Sequence, residues 1–156
     1  MSVLSKSEQF EYGSTLRQVR VSDWMTKEVI TVTPTTTIAR AHQTMKEYGI
    51  RRLVVCEGED VVGIVTLGDV REASASSASS LSIWELNYLW AQLTVNGVMK
   101  RNVLTVNENA TIIEAAQLMM DKKVSGLPVI NEGRLVGIIT ESDIFRMLIM
   151  LAAKSS

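Results

Sequence analysis

Residues 25–71 recur without a gap as residues 99–145, a shift of 74 positions, and sixteen of the 47 aligned pairs are identical. Such a chain must build the same local structure twice. A unit of about 50 residues buries too little apolar surface to stand comfortably alone, so the two copies are expected to share a core. The matches Ile38/Ile112, Ala41/Ala115, Met45/Met119, Leu53/Leu127 and Val62-Gly63-Ile64 against Val136-Gly137-Ile138 are the repeated core. Thr66/Thr140 and Asp69/Asp143 are different. A core does not need a polar pair three residues apart, twice, at a strand-to-helix junction. Their duplication points to a duplicated binding site.

Two copies at a period of 74 are too few and too long for a solenoid or propeller. The net charge of −1 and a pI near 5.9 exclude the basic footprint of a nucleic-acid-binding chain. One cysteine, Cys56, leaves no intramolecular disulfide framework and suits a reducing compartment. The longest apolar run, Met147–Ala153, is far below the roughly 18 residues of a membrane span. No charged-then-apolar leader opens the sequence. The expectation is a cytoplasmic protein without membrane or nucleic-acid partners.

Each repeat reads as strand, helix, strand, strand, helix. In the first, Val29–Val32 is a short β-branched run, and Ile38, Ala41, Met45 and Tyr48 mark one face of a helix over Thr37–Tyr48 that stops at Gly49. Leu53–Cys56 and Val61–Thr66 are strands joined by the turn Glu57-Gly58-Glu59-Asp60. The second repeat follows with Val103–Val106, Thr111–Lys122, Leu127–Ile130, the turn Asn131-Glu132-Gly133-Arg134, Leu135–Thr140 and a helix from Ser142 towards Ala152. The fold expected is α+β, with two β-α-β-β-α repeats packed face to face about a pseudo-two-fold axis. The domains are an N-terminal extension (1–20) without a counterpart, repeat 1 (21–72), an Ala/Ser linker with an inter-repeat helix (73–94), and repeat 2 (95–153). The first dozen residues are polar enough to be disordered. Ser82-Ile83-Trp84-Glu85 has capping-box spacing. The helix after it carries Ile83, Leu86, Trp90 and Leu93 on one face and Trp84 and Tyr88 on another.

The blocks Gly63-Ile64-Val65-Thr66-Leu67-Gly68-Asp69 and Gly137-Ile138-Ile139-Thr140-Glu141-Ser142-Asp143 share the form Gly-h-h-Thr-x-x-Asp, h being apolar. With the Asp-Trp-Met and Gly-Val-Met openings at 23–25 and 97–99, and Gly126-Leu127-Pro128-Val129, they make the chain resemble a tandem cystathionine-β-synthase (CBS) domain pair, or Bateman module, over residues 21–153. Its layout, with Arg-Glu-Ala-Ser at 71–74, is similar to stand-alone pairs of the acetoin-utilisation type. The resemblance implies a regulatory module binding an adenosine-containing ligand between the repeats: AMP, ADP, ATP (with or without Mg²⁺) or S-adenosylmethionine. It also implies a homodimer whose geometry changes on binding and an unknown target protein.

By that resemblance Asp69 and Asp143 each accept hydrogen bonds from a ribose diol, with Thr66 and Thr140 alongside. Arg51, Arg52, Ser125 and Ser142 face the phosphates, near helix N-termini that favour anions. Thr31, Val32, Thr105, Val106, Val54 and Pro128 form the adenine slot. The plain alternative for Thr-x-x-Asp is a capping box, and both roles can coexist. Strand alternation sends Arg51 and Arg52 to opposite faces. Arg51-Arg52 opposite Ser125-Gly126 makes the two sites inequivalent, with one ligand per chain expected.

No catalytic set emerges. Cys56 and His42 lie on different elements without a third orienting group, and no zinc cluster or phosphate-binding Gly-rich loop is present. His42 reads as a surface residue; Arg71 and Arg146, two and three residues beyond the motif aspartates, are within reach of a phosphate but read first as helix-surface arginines. The other reading is a ligand-free scaffold that uses the aromatic inter-repeat helix to hold a partner.

Overall fold

The computed structural model describes residues 16–77 and 82–154, the side chains of residues 75–77 excepted. The expectation for the first dozen residues lies outside them. The elements in chain order are α1 (Val21–Trp24), β1 (Thr31–Val32), α2 (Ile38–Tyr48), β2 (Arg52–Glu57), β3 (Asp60–Thr66), α3 (Leu67–Ser77) and α4 (Ile83–Gln92). They continue with a 3₁₀ turn (Val95–Gly97), β4 (Val106–Asn107), α5 (Ile112–Lys122), β5 (Gly126–Asn131), β6 (Arg134–Thr140) and α6 (Glu141–Lys154). The protein is α+β, with two three-stranded sheets ordered β1-β2-β3 and β4-β5-β6.

Within each sheet the first pair is parallel and the second antiparallel. Both hairpins carry a register irregularity at the same repeat position, Val55/Cys56 and Val129/Ile130. The expected first strands are shorter than Val29–Val32 and Val103–Val106 suggested, because only two residues of each pair with a neighbour. Helices α2 and α5 start one residue inside the expected spans, with Thr37 and Thr111 as their caps: Thr37 accepts from the Arg40 amide, and Thr111 and Glu114 cap each other reciprocally. Helix α3 runs through Ala73 to Ser77, so the first Ala/Ser residues continue a helix, and Ala73 packs on the core. Residues 78–81 lie outside the described set.

The compact units do not follow the repeat boundaries. A continuous unit spans Ile30–Val103, and a split unit joins Met1–Val29 to Leu104–Ser156. The continuous unit is built on Ile38, Ala41, Met45, Leu53, Val55, Val65, Val70, Val95 and Met99. The split unit is built on Val21, Val106, Ile112, Ala115, Met119, Leu127, Val129, Ile139 and Met147. Each repeat therefore lends its opening segment to the other repeat's sheet.

The exchange is symmetric, bond for bond. In the split unit Thr26 and Ile138 exchange backbone hydrogen bonds of 2.8 and 2.9 Å, and Val21 donates to Ala110 at 2.8 Å. In the continuous unit Lys100 and Ile64 exchange bonds of 2.9 and 3.0 Å, and Val95 donates to Thr36 at 2.8 Å. Met25 lies against Gly137 and Met99 against Gly63. A β-carbon on either glycine would sit 2.5–2.6 Å from the methionine sulfur, so this approach requires glycine. The exchange also gives part of the N-terminal extension a counterpart. Leu16 and Val19 pack on the split core as Trp90 and Leu93 do on the continuous one, 74 residues later.

Helix α4 begins with the expected box, Ser82 and Glu85 bonded reciprocally. Its faces divide differently from the reading above. Trp90 and Leu93 pack inward, but Ile83 is 69% exposed and joins Trp84 (81%) and Tyr88 (70%) in solvent.

Candidate functional site

The strand β3 delivers Thr66 to the N-cap of α3 and Asp69 to its third position. The Asp69 amide donates to Thr66 Oγ1 at 3.1 Å, and the Thr66 amide donates to Asp69 Oδ2 at 2.9 Å. This is a complete capping box, and it uses one carboxylate oxygen. The other, Oδ1, faces the Lys100 ammonium at 3.9 Å, with the lysine side chain 71% exposed and the carboxylate 14%. At that distance the pair is loose. Asp69 keeps an acceptor oxygen for an incoming donor.

The surrounding residues come from the same unit. Arg52 is the antiparallel partner of Thr66, and the Arg51 carbonyl accepts from the Leu67 amide at 2.7 Å, which pins the start of β2 to the start of α3. Thr31 is registered beside Val54. Val54 is fully buried yet belongs to neither core cluster, since alternation turns it away from Leu53 and Val55. The structure thus brings Thr31, Val54, Arg51, Arg52, Thr66 and Asp69 into one unit, with Val32 half-buried and packed on its core. Lys100 is the residue that sequence reasoning missed. Its signal was its place 74 positions after Thr26, on the exchanged segment.

The second copy has the same backbone and a different fate for the carboxylate. The Thr140 amide donates to Asp143 Oδ2 at 2.9 Å, and Thr140 Oγ1 donates to the same oxygen at 3.1 Å. Oδ1 accepts from Thr26 Oγ1 at 3.2 Å and from Arg146 Nη1 at 3.0 Å. Asp143 is 3% exposed, and both its oxygens are engaged. Arg146, read from sequence as a surface arginine, is the lock, although its own side chain is 62% exposed. Ser125 sits where Arg51 does, its carbonyl accepting from the Glu141 amide at 3.1 Å, and Ser142 is exposed in the first turn of α6. Val106 and Pro128 are buried, Val106 within the core cluster, and Thr105 is half-buried.

Two residues considered for catalysis are otherwise occupied. Cys56 is buried in β2, and burial, with Asp60 nearby, raises its thiol pKa above the ordinary 9.0, the opposite of nucleophile activation. His42 is half-buried rather than a surface residue, its ring edge-on to Trp90 with centroids 6.3 Å apart. Among the described residues no group of three or more His, Cys, Asp or Glu side chains could hold a metal ion. No helix among them is long and apolar enough to cross a membrane.

Known proteins share this fold. The chain matches the CBS domain family twice, over residues 21–76 and 95–149. It is 41% identical over 130 residues to the protein MJ1225 of Methanocaldococcus jannaschii, covering 79% of this chain and 46% of that one. It spans between 24% and 64% of the length of the first curated relatives it matches. Among solved structures, the acetoin utilization protein AcuB from Vibrio cholerae superposes with a TM-score of 0.75 at 30% identity, over 89% of this chain and 98% of that one. The CBS domain pair of protein MJ0100, solved with 5′-methylthioadenosine and S-adenosyl-L-methionine, superposes with a TM-score of 0.71 at 28% identity, over 83% and 95%. The chain belongs to the CBS domain family, as a tandem pair.

Proposed function

We propose that this chain is a regulatory, non-catalytic module that binds one adenosine-containing ligand through Asp69. The observation that carries the reading is the spare Oδ1 of Asp69. A ribose diol offers two donors, and a carboxylate already fixed in a capping box accepts them without losing further side-chain freedom. Thr66 and Arg52 are cross-strand partners at the same end of the hairpin, and the α3 N-terminus favours a phosphate there. Thr31, Val32 and Val54 supply the apolar side of the site. S-adenosylmethionine and methylthioadenosine on the MJ0100 pair support the ligand class. Asp143, saturated by Thr26 and Arg146, holds the second unit together, and Val106 belongs to its core, so Thr140, Ser125, Ser142, Thr105 and Pro128 serve a weaker second site.

Output passes through self-association, with the ligand changing how two copies meet and a separate protein responding. Helices α5 and α6 expose Ile113, Met120, Phe145, Leu148, Ile149 and Met150, an apolar set that supports a homodimer. Mg²⁺ would accompany a polyphosphate ligand only. One buried cysteine supports a reducing, cytoplasmic setting. Equilibrium binding of AMP, ADP, ATP, S-adenosylmethionine and GTP tests the reading: saturable binding of adenosine compounds over GTP supports it, and no adenosine binding at millimolar concentration sinks it.

Exposed Trp84 and Tyr88 favour a second reading, a scaffold that holds its partner on α4. A ligand-independent partner lost on Trp84→Ala would favour it.

A further inference from the structure

Asp69 Oδ1, the oxygen offered to a ligand, is not bare: the Lys100 ammonium faces it at 3.9 Å. In repeat 2 the residue at the same place, Thr26, reaches the same oxygen of Asp143, its hydroxyl donating at 3.2 Å. Positions 26 and 100 are 74 residues apart, so both copies of the opening segment carry a side chain to Oδ1 of the motif aspartate. A contact made twice, by two different residue types, belongs to the architecture rather than to the chance placement of one lysine.

The two occupants differ in how firmly they sit. The Thr26 hydroxyl is held close to its backbone, Arg146 shares the oxygen at 3.0 Å, and the Asp143 carboxylate is buried beneath them. Lys100 reaches Asp69 over a long flexible stem, at a distance beyond hydrogen bonding, with most of its side chain in solvent. Glu72, where repeat 2 has Arg146, is a carboxylate and cannot replace the arginine's donor. The Lys100 backbone, by contrast, is fixed. It exchanges bonds of 2.9 and 3.0 Å with Ile64, and Met99 beside it is buried against Gly63. The ammonium can therefore leave the carboxylate for water by side-chain rotation alone, with the paired segment unchanged.

We propose that Lys100 is a built-in competitor for the Asp69 site, holding Oδ1 in the absence of ligand and displaced from it by an incoming ribose diol. The inference rests on the adenosine reading of Asp69 and adds what sets the strength of that site. The Asp69 side chain is only 14% exposed, so a cation beside it keeps its charge compensated while no ligand is bound. The ion pair itself lies at the surface, and its hold is weak enough for two hydroxyl donors to replace it. Lys100 is thus a positioning residue that acts on the ligand through Asp69. It lowers affinity, the opposite of a cation that contacts the ligand directly.

Calorimetric titration of the full chain with adenosine tests this, since an uncharged ligand has no attraction of its own for a lysine. Lys100→Met should bind adenosine about threefold more tightly than the parent, the fold-change of one exposed ion pair. Lys100→Arg, which keeps the cation, should show no gain, and neither should Lys122→Met, which removes an exposed charge from α5. Raising the ionic strength from about 0.01 M to about 1 M shortens the screening length from about 30 Å to about 3 Å and should close the gap between the parent and Lys100→Met. A lysine with a merely structural role would give no salt-dependent gap for a neutral ligand. Adenosine binding that is unchanged or weakened in Lys100→Met, or strengthened equally in Lys100→Arg or Lys122→Met, overturns the inference and leaves the Asp69 reading intact. No adenosine binding to any of the four proteins at millimolar concentration removes both.

Discussion

Asp69 and Asp143 occupy the same position in two copies of one motif, and they do different work. Both cap a helix through Oδ2. The difference lies in Oδ1, which meets one loosely held lysine at Asp69 and two good donors at Asp143. Substitutions 74 positions apart explain it: Lys100 stands where Thr26 does, and Glu72 where Arg146 does. A duplicated motif can thus keep its fold in both copies while one copy saturates its carboxylate and the other leaves an oxygen loosely paired.

The largest contrast should appear in stability. Asp143→Ala removes a cap and the acceptor of three further donors, and should cost about 3 kcal/mol. Asp69→Ala removes the cap alone and should cost about 1 kcal/mol. Urea unfolding of the two variants measures both, and equal losses would break the comparison. Next come the two methionine contacts. Gly137→Ala should cost about 2 kcal/mol and Gly63→Ala about 1 kcal/mol, both by overpacking. The order follows from the exchanged backbone, since the Thr26 carbonyl lies 3.0 Å from the new methyl position at Gly137 and the Lys100 carbonyl 3.2 Å at Gly63. A methionine sulfur can swing aside, but a carbonyl in a paired segment cannot.

Smaller in stability but sharper in meaning is Arg146→Ala. The arginine is mostly solvent-exposed, so its loss should cost less than about 1 kcal/mol. It also frees part of Asp143 Oδ1, and calorimetry should then detect a second adenosine ligand per chain. A stoichiometry fixed at one would show that Asp143 is excluded for another reason. The smallest effect is alkaline. The Cys56 thiol pKa is raised in the fold, so its contribution is complete below the ordinary 9.0 and fades as pH climbs from there through the raised value. Cys56→Val should flatten that decline in a series of melting curves from neutral to alkaline pH.

The repeat made much of the fold legible. Periodicity located α2 and α5 within a residue, and the alternating strands and their turns were visible because each half is a short hairpin under helices. The exchange of opening segments was not visible, for a reason rooted in the repeat itself. Met25 and Met99 are identical, as are Gly63 and Gly137, so Met25 on Gly63 and Met25 on Gly137 are the same pair to a sequence reader. The site was half legible. Thr-x-x-Asp announced both a cap and an acceptor, and Arg146 three residues beyond Asp143 was within reach of it on the helix. Thr26, 117 residues away, carries no local signal. His42 looked like a surface residue because its ring partner, Trp90, is 48 positions later on another helix.

The most direct test is thermal unfolding of the parent chain, Asp69→Asn and Asp143→Asn, each titrated with S-adenosylmethionine and ATP. At 100 times its dissociation constant a ligand should add about 2.7 kcal/mol to the parent. Asp143→Asn should start from a lower melting temperature and rise by the same increment, while Asp69→Asn should start near the parent and not move. A ligand-induced rise that survives Asp69→Asn and disappears in Asp143→Asn would put the ligand at the other carboxylate and contradict the account.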